Sequence, residues 1–284
     1  MKDQEGTHRV GKMAATLGVR RSGYYAWRGR PESGHRRRQR ELVSEIRQIQ
    51  KQVHYRYGSP RVQKELQRRG RRVGHNQVAR LMSHERLGAR PRKRFRVTTR
   101  SSEKAVPAEN VLERRFEVAA ANQVWVSDIT YIATGEGWLY LCVVLDLFSR
   151  RVVGWSMGRG LGTELVLRAL RMAILYRRPP RGLLVHSDRG VQYTSGAFRR
   201  VLNAHGMRQS MSRKGDCWDN ACAEAFFKSL KTELVRGGIF RSRGEAQAQI
   251  FEYIEVFYNR RRLHSHLGYV SPATYEQQIR EKVA

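Results

Sequence analysis

The chain has 284 residues, 40% of them hydrophobic, enough for one sizeable core with a smaller unit beside it. Its 55 Lys and Arg against 25 Asp and Glu leave a formal net charge of +30, an excess no fold requires, which points to a polyanionic partner. No stretch approaches a membrane span, the basic segments lack a long apolar face, and three cysteines without a C-x-x-C pair argue against a disulfide framework or a structural zinc site.

The N-terminal MKDQEGTHRV has no apolar signal core, so a cytoplasmic protein without a membrane partner is expected. Residues 1–100 hold 28 basic and 7 acidic residues, net +21, making the front of the chain the stronger polyanion binder. MAATLGVRRSGYYAW (13–27) and SPRVQKELQRRGRRVGHNQVARLM (59–82) each predict a helix, a Gly-containing turn and a second helix. Their pattern and charge make residues 1–87 a helical DNA-binding region with helix-turn-helix units; ordinary helical hairpins are the alternative. Periodicity is lost in the Arg/Lys/Ser/Thr/Pro-rich stretch that follows, so residues 88–119 are expected to be a basic linker.

From about residue 120 the pattern becomes strands and helices. QVWVSDITYIA (123–133) and GWLYLCVVLD (137–146) predict a hairpin, RVVGWSM (151–157) a third strand, TELVLRALRMAILY (163–176) a helix and GLLVHSD (182–188) a short buried strand. A helix near 195–205, a strand near 207–211 and a helix opened by DCWDNACAEAFFKSLK (216–231) complete a mixed sheet flanked by helices over residues 120–236. Residues 237–284 are read as a C-terminal helix and basic tail.

Three acids stand out. Asp128 lies within the first strand with apolar neighbours on both faces, where an ionised carboxylate is costly without a counter-charge. Asp188 ends another strand at its carboxyl edge, and Glu224 borders the apolar stripe Ala223, Phe227, Leu230, Leu234 of the last helix. Singly, each has an ordinary explanation: a backbone cap, a turn residue, a dipole partner for a helix start. Converging on one edge, they would repel one another without a divalent cation, and such hard oxygen ligands suit Mg2+ or Mn2+. A small acidic cluster in so basic a chain suggests two ions working on phosphate, with Lys228 and Lys231 beyond Glu224 to hold DNA.

Four strings, WVSDITYIATGEGWLYLCVVLDLFSRRVVGW, HSDRGVQYTS, SMSRKGDCWDNACAEAFFKSLKTE and YNRRRLHSHLGYVSPATYE, resemble the DDE transposases encoded by the second reading frame of two-frame bacterial insertion sequences, relatives of retroviral integrases. The resemblance runs from about residue 10 to 277, and the thirty-five residues between Asp188 and Glu224 match the family's spacing. It implies a ribonuclease H-like fold, with Asp128, Asp188 and Glu224 as catalytic metal ligands. It also implies Mg2+-dependent cutting at terminal inverted repeats, then attack of the freed 3′-hydroxyl on a second phosphodiester. Double-stranded terminal-repeat and target DNA, further copies of the chain, and an upstream-frame helix-turn-helix protein or fusion are the implied partners, at the bacterial nucleoid. Two features depart from relatives: no His/Cys zinc module precedes the core, and no sustained heptad seam is present, so the chain is expected to be the second frame alone.

Other residues are weighed singly. Asp146 is expected to support the site without ligating, His186 to be packed, and Asp216 and Asp219 to serve the loop or cap ahead of the last helix. Asn220 is compatible with capping or DNA contact. Arg260, Arg261 and Arg262 are expected to meet phosphate, and Trp125, Trp138 and Trp155 to be core residues. Two competing functions remain: a non-catalytic DNA-binding repressor derived from a transposase, and a ribonuclease H acting on hybrids, which leaves the helical front unexplained.

Overall fold

Three successive apolar, β-branched stretches pair as an antiparallel meander: β1 (Val124–Thr134), β2 (Gly137–Asp146) and β3 (Val152–Gly158). Two shorter strands, β4 (Leu184–Ser187) and β5 (Arg208–Met211), run parallel to β1 on its other side, giving the order β3-β2-β1-β4-β5. The computed structural model describes residues 1–88, 108–213, 217–235 and 238–283; most of the expected linker, residues 89–107, and Asp216 lie outside the described residues.

Strand alternation splits the core into two. Trp125, Cys142, Val144 and Val185 face one side, covered by α6 (Thr163–Arg177), α7 (Val191–Thr194) and α8 (Gly196–Ala204). Helix α6 lies so close to β3 that a Cβ on Gly154 would stand 2.2 Å from the Ala169 carbonyl oxygen, and this approach requires glycine. Val126, Ile132, Leu141 and Val143 face the other side, against Ala223, Phe226, Phe227 and Leu230 of α9 (Ala221–Leu230) and Ile250, Tyr253 and Phe257. Helix α9 runs into a π-helical turn at Lys231–Val235. α10 (Arg243–Phe251) likewise continues as π helix over Glu252–Tyr258, and α11 (Pro272–Val283) follows.

The front of the chain has α1 (Val10–Thr16), α2 (Arg21–Gly29), α3 (Gly34–Gln52), α4 (Ser59–Arg68) and α5 (His75–His84). Pro60 opens α4, and Gly70 (φ +81°) turns the chain toward α5. Periodicity does not single out the 19-residue α3, because GHRRRQ at its start carries no apolar residue; Leu42, Ile46 and Ile49 begin the stripe only afterwards. α3–α5 share a core with the C-terminal helices through Tyr57, whose hydroxyl donates to Arg261 O (3.0 Å) and accepts from Leu263 N (3.0 Å). Arg56 stacks over Phe257, 4.5 Å from the ring centre, and pairs with Glu252. No described helix is long and apolar enough to cross a membrane.

The last segment differs from the expected helix and basic tail. Arg262, Leu263 and Leu267 are buried, and Glu276 of α11 takes two bonds from Arg177 (2.8 and 2.9 Å) and one from Arg151 (2.8 Å). The helix therefore docks on the β2–β3 connection and the end of α6.

Candidate active site

β4 pairs in parallel with β1 as far as Val126↔His186, and Asp188, two residues on, comes close enough for its charge to act on Asp128. α9 crosses the same region of β1: Ala223 and Phe227 are buried on the strand, and Glu224 faces outward over the opening. The structure thus brings the three sequence-predicted acids to one edge of the sheet. Asp128 Oδ1 accepts the Ile129 amide (2.8 Å), and Asp188 Oδ1 accepts the Gly190 amide (2.9 Å). Burial drives the Asp128 carboxyl well above the usual range; the Asp188 charge adds to this and Glu224 adds less, while the Ile129 amide and Lys231 oppose it. Asp188 and Glu224 are also raised, in each case chiefly by burial. Among the described residues no three His, Cys, Asp or Glu side chains are grouped closely enough to hold a metal ion.

Lys231 reaches this opening from the π turn. Its Nζ lies 5.0 Å from the Tyr131 ring centre, and its charge acts on Asp128; burial lowers its pKa and Asp128 raises it. Lys228, Arg260 and Arg261 are exposed, whereas Arg262, predicted to meet phosphate, is not free to do so. Its side chain is 4% exposed and donates to Glu233 through Nε (2.8 and 3.1 Å) and Nη2 (2.6 Å), and to Ser229 Oγ (3.0 Å). The sequence presents three adjacent arginines alike; the irregular turn after Tyr258 sends the third inward.

The start of α9 is fixed through three nearby residues, Asp219, Asn220 and Cys222. Asp219 is not the helix cap; its carboxylate accepts from Arg213 N, Nε and Nη2 (2.9, 3.2 and 3.1 Å), Arg114 Nε (3.0 Å) and Asn110 Nδ2 (2.8 Å). Those bonds hold it well below the ordinary carboxylate range, chiefly through the Arg213 side chain. Asn220 occupies the cap position and donates Nδ2–H to Ser127 O (3.1 Å), the carbonyl just ahead of Asp128. Cys222 Sγ accepts from Nη1 of the buried Arg150 (2.9 Å), whose Nη2 donates to Phe116 O (3.0 Å). Sequence reasoning does not find Arg150, because its left-handed conformation (φ +57°) after β2 has no local signature.

His186 is fully buried. Ser210 Oγ already accepts the Val111 and Leu112 amides (3.0 and 3.2 Å), so its proton goes to His186 Nδ1 (2.8 Å). Ser212 Oγ donates to Ser187 O (3.3 Å) and accepts His186 Nε2–H (3.2 Å). This network holds the neutral Nε2–H tautomer, and burial lowers the pKa to about 4 against an opposing pull from Asp219. Asp146, expected to support the site, lies opposite Trp125 at the start of β1, three residues before Asp128. It binds the Asn122 and Phe148 amides (2.8 and 3.0 Å) and Arg177 (3.3 Å).

The sequence of this chain matches the integrase core domain over residues 118–217 and again over 224–279, and an HTH-like domain over 30–95. The chain is 42% identical over 272 residues to an insertion element IS600 31 kDa protein of Shigella sonnei, covering 96% of this chain and 100% of that one. It is 41% identical over 266 residues to transposase InsF for insertion sequence IS3A of Escherichia coli K12, covering 93% and 92%. The chain belongs to the integrase-core transposases of the IS3 family. Solved structures similar to it include the simian T-cell lymphotropic virus intasome, with TM-score 0.48, 13% identity and 81% and 74% coverage of this chain and that one. Another is the HTLV-2 integrase catalytic core in complex with magnesium, with TM-score 0.41, 16% identity and 55% and 96% coverage.

Proposed function

We propose that this transposase cuts DNA at the terminal inverted repeats of its element and joins the freed 3′ ends to target DNA, using Asp128, Asp188 and Glu224. The observation that carries this reading is the convergence of those acids on one open edge in a chain of net charge +30. The donor set fits hard divalent cations: Asp128 and Asp188 each show one carboxylate oxygen bonded to a backbone amide, and Glu224 faces the opening. Two Mg2+ or Mn2+ ions would supply charge to activate the attacking oxygen and to stabilise the leaving one. The protein's own part is placement. Strand β1 fixes Asp128, the Gly190 amide orients Asp188, and the Ser127–Asn220 bond ties the Glu224 helix to β1. Lys228, Arg260 and Arg261 lie exposed to meet phosphates, Lys231 offsets charge at Asp128, and the basic α3–α5 unit would hold the DNA end.

In the first step water displaces the 3′ oxygen at the repeat boundary, leaving a 3′-hydroxyl. In the second that hydroxyl attacks a target phosphodiester, one P–O bond forming as another breaks. Joining two ends requires more than one copy of the chain, with the upstream-frame product as a further partner. The test is cleavage of a labelled terminal-repeat duplex in Mg2+ by wild type and Glu224→Gln, with and without the upstream-frame product. Cutting by wild type alone supports the proposal; tight binding without cutting by either protein, under both conditions, supports the repressor instead.

A further inference from the structure

The three tryptophans expected in the core do not share one environment. Trp125 is fully buried, and Trp155 donates Nε1–H to Glu255 (2.7 Å), but Trp138 is 50% exposed. Its ring meets Tyr131 edge-on at 4.9 Å, making an aromatic pair at the hairpin end of β1 and β2. Packing does not account for so exposed an indole.

Among the described residues, no strand pairs with the β1 edge beside this pair. β4 pairs with β1 only as far as Val126, and the next described partner on that side is Phe240, which bridges to Ala133, Thr134 and Gly135. Between Asp128 and Ala133 the described residues leave a notch of about 17 Å in the β1 edge, at about 3.3 Å per residue. The acids stand at one end of it. Tyr131 is midway, on the alternate face from Asp128, and Lys231 spans both, near the Tyr131 ring and acting on the Asp128 carboxylate.

We infer that Tyr131 and Trp138 form a stacking ledge for an unpaired or splayed nucleobase of the DNA strand that enters the acid site. This rests on the function proposed above. A cation beside the ring and acids at one end of the notch fit the phosphates of a strand, and an exposed aromatic face fits a base of any sequence. Tyr131 follows Asp128 by three residues, about 10 Å along β1. At about 3.4 Å per nucleotide, the stacked base lies about three nucleotides from the scissile phosphate.

The test uses the full-length protein, Ca2+ in place of Mg2+, and terminal-repeat duplexes carrying one abasic site at each of positions one to six from the scissile phosphate. Trp138→Ala is expected to weaken binding of the intact duplex about ten-fold, and Trp138→Phe to keep most of the affinity. An abasic site at positions two to four should weaken wild type by a similar factor yet leave Trp138→Ala unaffected. Equal affinity of Trp138→Ala and wild type, or fully additive losses at every position, overturns the ledge. Urea unfolding of Trp138→Ala separates a folding defect from a loss of stacking. Cleavage by wild type in Mg2+ is scored in parallel, so an inactive wild type counts against the proposed function and not against the ledge.

Discussion

Arg262 is the sharpest test of how this structure divides arginines between folding and DNA. The side chain is 4% exposed and its partner Glu233 8%, with N–H···O bonds from both Nε and Nη2 joining them. Removing one member of a buried pair leaves the other charge without its main partner and costs about 3–5 kcal/mol. Tyr253 still donates to Glu233 Oε2 (2.9 Å) and Arg61 Nη1 lies 3.5 Å from Oε1, so Arg262→Ala belongs near the lower end, about 3 kcal/mol. Arg260→Ala and Arg261→Ala, both exposed, should stay within about 0.5 kcal/mol. The apolar pair Glu233→Leu with Arg262→Met should recover most of the loss, since replacing both charges removes the desolvation cost with them. Urea unfolding midpoints at constant m give the stabilities. The salt dependence of DNA binding is the second readout: truncating Arg260 or Arg261 frees one phosphate from neutralisation and should lower the slope by about 0.9 in each case. An Arg262→Ala protein that unfolds like wild type while its salt slope falls by that amount would place this guanidinium on DNA and refute the buried-pair argument.

Three further outcomes follow from the packing. His186 is neutral when folded, with its pKa lowered to about 4, while the unfolded chain titrates near 6.5. The unfolded state therefore takes up the extra proton between these values, and stability is lost as pH falls through that window, by about 2 kcal/mol from pH 7 to pH 5. The difference in unfolding free energy between wild type and His186→Asn should shrink by that amount over the interval; parallel pH curves would contradict a histidine held neutral by burial. Gly154→Ala would press a Cβ against backbone atoms of α6, at 2.2 Å from Ala169 O and 2.8 Å from Ala173 N. A cost of at least about 3 kcal/mol is expected, measured by thermal unfolding, and a wild-type melting temperature would mean that α6 yields freely. Asn220→Ala should lower kcat and raise the Mn2+ concentration needed for cutting, with DNA affinity unchanged, because its bond to Ser127 O sets Glu224 against Asp128. An unchanged metal requirement would reduce that bond to packing.

The acids are legible in the sequence because chemistry leaves few ways to explain them. A carboxylate in the middle of an apolar strand, as at Asp128, is costly wherever the strand lies, so its reason has to be looked for elsewhere in the chain. The strands are legible through alternation, which the sheet uses literally: even positions of β1 such as Val126 and Ile132 face α9, and odd ones such as Trp125 face α6–α8. Arg262 and Trp138 depart from expectation for different reasons: charge does not say which way a side chain leaves an irregular segment, and size does not say that the hairpin end of a regular strand is left half exposed. Arg262 follows the π-helical stretch Glu252–Tyr258, whose altered pitch moves residues off the face that a 3.6-residue repeat assigns. The stripe drawn through Ala223, Phe227, Leu230 and Leu234 passes over Phe226, which is buried beside Phe227. The π turn at Lys231–Val235 breaks that repeat, Glu233 swings inward to meet Arg262, and Leu234 is left only partly buried. Both irregular turns bear on the acid edge, one through Lys231 and the other through the arginine that anchors Glu233. A π turn costs regular hydrogen bonding and is retained where it places side chains that a continuous helix would misdirect. Here the turn brings Lys231 toward Asp128, and Glu233, two residues on, leaves on the opposite side to meet Arg262.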